Sequence, residues 1–359
     1  MTLADLGWSD FFAEAFAPHA AEGRLPARVT LQLKGYYEVT GEFGARLGEC
    51  TGRFQNEAAD AAAMPAIGDW AVVTPQAGDE TRASIHALLP RKTRFSRHAA
   101  GERGFEQVVA ANVDTVLLVS ALDGGFSLPG LERYLAAAWS SGAEPVIILN
   151  KADLSDDAPA RQREVQAMAP RVPVLLLSAV TRRGLKLLTP WLRPGATLAL
   201  LGASGVGKST LINRLLGEAR QETQAVRATD AKGFHTTTQR ELLVLPGGAL
   251  IIDTPGMREL QPWEAGAGVS AAFEDVAAIA ARCRFRDCAH GVEPGCAIQL
   301  ALADGTLALA RWQSFLRLGR ATAHEVRRVN PQARQVHKSH FKKLTKSLRQ
   351  RVREKSGDE

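Results

Sequence analysis

The stretch Gly202-Ala203-Ser204-Gly205-Val206-Gly207-Lys208-Ser209 decides how this 359-residue chain is read. It spells G-x-x-x-x-G-K-S, follows the apolar run 196–201 and precedes Thr210-Leu211-Ile212-Asn213-Arg214-Leu215-Leu216, whose apolar spacing is helical. A strand, a glycine-rich loop and a helix in that order form a phosphate cradle. The glycines let backbone N–H groups point inward, and the positive end of the helix faces the anion. Lys208 is placed to reach the β- and γ-phosphates and Ser209 to give an oxygen to Mg²⁺. Residues Gly202 through Thr210 are therefore the candidate phosphate-binding residues.

On either side of this loop, apolar strands alternate with amphipathic helices. Strands at 113–119, 145–149, 172–177, 196–201, 241–245 and 249–252, with helices at 128–139, 157–168 and 185–192, imply a mainly parallel sheet covered on both faces. Loops at the carboxyl ends of such strands build the ligand crevice. Three of these loops carry chemistry. Asn150-Lys151-Ala152-Asp153 follows its strand directly and resembles the N-K-x-D base-recognition motif of GTPases. That resemblance implies that Asp153 accepts the N1–H and exocyclic amine of guanine, a donor pair adenine lacks. Asn150 would brace the loop and the Lys151 stem would lie against the base. Ser178-Ala179, after the strand 172–177, is similar to the short loop that backs the same contact through a main-chain N–H. Asp253-Thr254-Pro255-Gly256 matches the D-x-x-G of that family: Asp253 would hold Mg²⁺ through water, and the Gly256 N–H would sense the γ-phosphate. Gly233-Phe234-His235-Thr236-Thr237-Thr238 looks like a first switch, with Thr237, or else Thr238, closing over Mg²⁺.

The order of these loops departs from the usual one. A Ras-like domain runs phosphate loop, first switch, D-x-x-G, N-K-x-D, Ser-Ala, whereas here the last two come first. Moving 113–192 behind Gly256 restores the conventional succession, so the central domain reads as a circularly permuted GTPase. Permutation leaves the site intact because only the positions of the loops in space matter. It also makes D-x-x-G lead straight into the next domain, a short covalent lever by which nucleotide state could be passed on. Where Ras-like proteins keep a water-orienting Gln after the D-x-x-G glycine, this chain has Met257, so unassisted hydrolysis should be slow. His235 is the candidate replacement, catalytic with Lys208 and Thr237; the other reading has it capping its loop.

Outward again, residues 28–95 hold five short β-prone runs cut by turns, as in a five-stranded oligonucleotide/oligosaccharide-binding barrel, which binds RNA or serves structure alone. Arg91-Lys92-Thr93-Arg94-Phe95-Ser96-Arg97-His98 reads as a basic linker offering a phosphate contact. Ahead of the barrel, Trp8, Phe12 and Phe16 line one face of a helix that should dock on the body. Near the other end, Cys283, Cys288, His290 and Cys296 are spaced C-x4-C-x-H-x5-C, which closes a tetrahedral structural Zn²⁺ site; Cys50 stands alone as an ordinary buried thiol. A helix at 311–328 and a basic tail with Phe341, Leu344 and Leu348 complete the chain. From residue 311 onward 14 Lys/Arg face four acids, so of the net +6 the tail carries +10 and the remainder −4. Such a tail suits a polyanion such as RNA, or keeps the protein soluble. No apolar run approaches a membrane span, and the first 23 residues have acids but no Lys or Arg, the wrong charge for a secretory signal; the reading is a cytoplasmic monomer without membrane contact.

Barrel, permuted N-K-A-D, S-A, G-A-S-G-V-G-K-S, H-T-T-T and D-T-P-G, then C-x4-C-x-H-x5-C, resemble the ribosome small-subunit-dependent GTPase A family (RsgA, also called YjeQ) over nearly the whole chain. Residues 107–114 and Cys283-Arg284-Phe285-Arg286-Asp287-Cys288 read like that family too. The resemblance implies three parts: helix and barrel at 1–97, a permuted α/β GTPase domain at 98–265, and an α-rich zinc-binding domain with basic tail at 266–359. It implies a late factor in small-subunit maturation that binds the subunit and its rRNA with GTP, helps release another assembly factor, and leaves after hydrolysis to GDP. Two other readings stand beside it: a permuted GTPase acting on another structured RNA, and a zinc- and RNA-binding module with a vestigial nucleotide site.

Overall fold

The computed structural model describes residues 1–33, 35–98, 106–123, 125–217, 240–253, 273–291 and 293–329. Several sequence expectations lie outside the described residues: the first switch with His235, Thr237 and Thr238, then Gly256, Met257, and the tail beyond residue 329.

Helix α1 (Asp10–Ala20) buries Phe12 and Phe16. Trp8, just ahead of it, stacks edge-on against Trp70 at 4.6 Å, so the aromatic face docks on the body as its spacing suggests. Trp70 opens the fourth of five strands, β1 (Leu25–Gln32), β2 (Tyr37–Gly41), β3 (Gly44–Cys50), β4 (Trp70–Pro75) and β5 (Arg82–Leu88), with the short helix α2 (Gly52–Glu57) between β3 and β4. They close on themselves: β1 is antiparallel to both β2 and β4, β2 to β3 and β4 to β5, while β5 runs parallel to β3. Alternation turns Val29, Val39, Val73 and Ile85 into the barrel, with the Cys50 thiol, whose burial pushes its pKa up to about 11.

The basic stretch read as a linker is different in kind. Residues Arg94–His98 form β6, which pairs with β7 (Glu106–Ala111) in a two-stranded ribbon. Arg91 is fixed rather than free for phosphate, donating both to the Asp69 carboxylate at 2.7 Å and to the carbonyls of Ala62 and Met64. Lys92 donates to Ser9 Oγ and lies 4.8 Å over the Phe12 ring.

The second sheet follows in strands β8 (Thr115–Ala121), β9 (Glu144–Asn150), β10 (Val174–Leu176), β11 (Thr197–Leu201), β12 (Arg240–Val244) and β13 (Leu250–Asp253). Their spatial order is β10-β9-β8-β11-β13-β12, parallel except for β12. Strand β11, which carries the glycine loop, lies inside the sheet, as the permuted succession requires. Both faces are covered, which explains the near-continuous apolar runs. On one face Val116, Leu118 and Ile147 pack with residues of α3 (Leu128–Ser141) and α4 (Ala158–Met168). On the other, Leu117, Val119 and Ile148 pack with residues of α5 (Lys208–Leu216). Beyond them, α6 (Glu274–Ala280), α7 (Ala297–Ala303) and α8 (Leu309–Val329) form the C-terminal unit.

Two seams join these parts. The outer edge of β12 pairs with β1 at Leu31–Glu241 and Gln32–Arg240, so one hydrogen-bonded ladder runs from α/β sheet into barrel. Beside it the buried Arg28 guanidinium donates to the carbonyls of Leu6, Gly68 and Asn112, one from each neighbouring segment. Burial lowers its pKa to about 10, which leaves it charged at neutral pH. At the second seam, Arg311 at the start of α8 is bidentate to Asp275 and donates to Met168 O, while Arg317 and Ser314 of the same helix reach Glu132 of α3, which is 1% exposed. Among the described residues no helix is long and apolar enough to cross a membrane.

Replacing Arg28 by Met leaves the buried carbonyls of Leu6 and Asn112 without their donor, while Gly68 O keeps the one from Asn112 Nδ2. We expect a loss of about 2 kcal/mol or more, each of the two orphaned groups contributing on the order of 1 kcal/mol or more, and faster amide exchange at Ala111 and Asn112. An unchanged melting temperature with unchanged exchange would contradict this reading of the seam.

Candidate nucleotide site and metal cluster

Helix α5 begins at Lys208, so its free N–H groups and positive end face the loop that leaves β11. The loop is tight where its glycines stand. A Cβ on Gly202 would meet the Val119 carbonyl, and one on Gly207, held at φ 98°, would meet the side-chain nitrogen of Asn150. Ala203, Ser204 and Gly205 are exposed on the loop crest, whereas Val206 tucks into the core; Gly207, Ser209 and Thr210 are half-buried. The Lys208 ammonium folds back over the loop, donating to Gly202 O at 2.7 Å and Ala203 O at 2.6 Å.

Asn150, the last residue of β9, joins this loop to two others. Its Nδ2 donates to Val206 O at 2.8 Å, and its Oδ1 accepts the Ala179 N–H at 3.0 Å. The carboxamide thus spans the phosphate loop and the Ser178-Ala179 loop. Its own backbone is fixed as well, the Asn150 carbonyl accepting from Leu122 N and Ala152 N donating to Leu177 O. Lys151, in the left-handed region at φ 60°, turns the chain into a short 3-10 segment, Ala152–Leu154. The Asp153 carboxylate is exposed and meets no partner among the described residues. Ser178 is buried and caps its own loop by accepting the Thr181 N–H.

Asp253 ends β13, opposite Glu241 of β12 and one strand away from β11. N-K-x-D, Ser-Ala and phosphate loops therefore converge at the carboxyl edge of the sheet, with the first residue of D-x-x-G beside them. Of the main-chain donors in the Ser178-Ala179 loop, the Ala179 N–H is taken up by Asn150. The Lys151 ammonium, expected only to extend along a base, forms an ion pair with Asp123 at 2.5 Å, a partner the sequence reading missed.

The sulfur and nitrogen donors of Cys283, Cys288, His290 and Cys296 all lie within 4.8 Å of one another. Cys283 Sγ is 3.5 Å from His290 Nδ1 and 4.0 Å from Cys296 Sγ, and Cys296 Sγ is 3.6 Å from the same nitrogen. A tetrahedral zinc ion needs about 3.8 Å between sulfurs and about 3.6 Å between sulfur and nitrogen, so the donor set fits that ion. His290 reaches its position at φ 58° with its ring edge-on to Trp312. The cluster sits against the α6–α8 core built on Phe273, Val276, Ile298 and Trp312.

Comparison with known proteins agrees with this arrangement. The family described as RsgA GTPase matches residues 88–263. The Small ribosomal subunit biogenesis GTPase RsgA of Opitutus terrae is 51% identical over 361 residues, covering 98% of each chain. The protein of the same name from Syntrophotalea carbinolica is 42% identical over 326 residues and covers 88% of each. Among solved structures, YjeQ from Thermotoga maritima is 26% identical with a TM-score of 0.62, covering 83% of this chain and 98% of that one. YloQ, described as a circularly permuted GTPase, shares the fold at a TM-score of 0.60, covering 84% and 96%. A relative half identical from end to end, and a permuted site whose loops meet at one sheet edge, make this chain a member of the RsgA GTPase family and a GTP-hydrolysing enzyme.

Proposed function

We propose that this GTPase acts in late maturation of the small ribosomal subunit, in the cytoplasm and as a monomer, binding the subunit and its rRNA with GTP and leaving after hydrolysis to GDP. The subunit is taken from the name its relatives carry. The observation that carries the nucleotide chemistry is the Asn150 carboxamide, which ties the phosphate loop to both base-side loops. In this reading Gly202 through Thr210 wrap the phosphates with main-chain N–H groups. Lys208 exchanges its loop carbonyls for β- and γ-phosphate oxygens, and Asp153 takes the guanine N–H pair. The Ser178-Ala179 loop, braced by Asn150, backs the base. Mg²⁺, held through Ser209 and Asp253, would supply charge neutralisation at the phosphates. Thr237 and Gly256 are assigned to γ-phosphate sensing and His235 to orienting the attacking water, because Met257 has no polar group to do so.

Cys283, Cys288, His290 and Cys296 would hold one zinc ion as a structural brace, since four protein donors leave no open position. RNA contact is assigned mainly to the basic C-terminal tail. Between residues 25 and 90 the barrel region has five Lys/Arg against eight Asp/Glu, a balance that repels phosphate and favours the structural reading of the barrel. Exchange of another assembly factor on the subunit is part of the same proposal.

Three outcomes are expected. Purified small subunits should raise GTP turnover at least tenfold over the free enzyme, and His235→Ala should remove most of that stimulation while leaving GTP affinity within about twofold; no stimulation would favour another structured RNA as target. Asp153→Asn should shift preference from guanine to xanthine nucleotides in competition binding, and unchanged preference would defeat the base assignment. Cys288→Ser should lower zinc content from one per chain to near none and expose the α6–α8 unit to protease while GDP still binds. Full zinc retention would contradict the four-donor site.

A further inference from the structure

Lys151 is held in two ways that the motif alone does not explain. Its backbone takes the left-handed conformation at φ 60°, ψ 32°, which a lysine adopts only when its surroundings impose it. Hydrogen bonds on either side, Leu122 N to Asn150 O and Ala152 N to Leu177 O, do so from two separate loops. The first of these fixes the β8 end beside Asn150, and the next residue along that loop is Asp123. Asp123 Oδ2 stands 2.5 Å from Lys151 Nζ, and its Oδ1 accepts the Gly125 N–H at 3.3 Å. The pair is partly sheltered, the two side chains being 26% and 39% exposed for Lys151 and Asp123. The hydrogen bond from Lys151 holds the Asp123 carboxyl below the usual carboxylate range, so it is ionised throughout neutral pH. No other acidic group shares an ion pair with Lys151 among the described residues.

A lysine stem that forms one wall of a base pocket works only if it stays extended. Four rotatable bonds and a strongly hydrated ammonium favour its swinging into water. An anchor on the far side of the ammonium removes that freedom before nucleotide arrives. We propose that Asp123 is a positioning residue for nucleotide: it pins the Lys151 ammonium from the β8 loop so that the lysine stem stands as a fixed wall of the guanine pocket. Asp123 itself makes no contact with the nucleotide. The assignment rests on Asn150–Asp153 being the base loop.

The test is a double-mutant cycle on the full-length protein, read as the dissociation rate of fluorescent GDP. Asp123→Ala should speed dissociation about three- to fivefold, the size of a partly exposed ion pair. Lys151→Met, which keeps an apolar stem without the charge, should do the same, and the double variant should be no faster than Lys151→Met alone. Asp123→Glu should restore most of the parent rate. The parent rate should rise with salt as the pair is screened, and that of Asp123→Ala should not. Additive effects in the cycle, or an Asp123→Ala rate equal to the parent, would overturn the proposal. If Asp123→Ala does not fold, Asp123→Asn takes its place in the cycle. Measuring xanthine preference of Asp153→Asn alongside separates two failures. A switched preference with an additive cycle defeats only the role of Asp123, whereas an unswitched preference defeats the base loop and this proposal with it.

Discussion

One side-chain amide, that of Asn150, holds three loops in a single arrangement. It donates a hydrogen bond to the phosphate loop at Val206 O and accepts one from the Ala179 N–H, and a carboxylate of the same reach, an acceptor only, cannot make both. The contact with Gly207 is so close that only glycine fits beneath it. Neither partner lies near Asn150 in sequence: Val206 is 56 residues on and Ala179 is 29. What fixes the site is therefore the sheet, which brings the ends of β9, β10 and β11 to one edge. Chain order has no part in it, which is why the permuted succession leaves the geometry whole.

The ends created by permutation are used rather than merely closed. In front, residues leading into β8 come from the ribbon β6–β7 and from Asn112, whose carbonyl is one of the three held by Arg28. Behind, D-x-x-G is followed in sequence by the C-terminal unit, which is bolted to α3 and α4 by Glu132 and Arg311. The β12 edge is taken by β1 of the barrel. A sheet edge left open invites pairing with other chains, and here the chain covers it with its own strand. Barrel, sheet and C-terminal unit thereby meet around the GTPase core through buried, charge-assisted contacts.

Much of this was legible in the sequence because it depends on local pattern. The apolar runs of β8, β9, β11 and β13 are long and β-branched or leucine-rich, and each motif follows its strand without a gap. The cysteine and histidine spacing carried its own geometry. The five barrel strands were readable from their turns. Less legible was anything set by partners far away in sequence. Arg91–His98 looked like a basic linker because Phe95 is its only large apolar residue, too little to show a two-residue period; its burial comes from β7 and Asp69. Nothing in the sequence around Glu132 marks it as buried, because its partner Arg317 lies 185 residues later. Asp123 had no motif to announce it, and its pairing with Lys151 follows from how β8 and β9 lie side by side.

The central claim is that loops scrambled in sequence enclose one guanine nucleotide. A crystal structure of the protein with GDP and Mg²⁺ tests it most directly. The guanine ring is expected against Lys151 with Asp153 on its N–H edge, and the β-phosphate within the Gly202–Ser209 loop beside Lys208. A base bound away from Asp153 while the phosphates occupy that loop would contradict it.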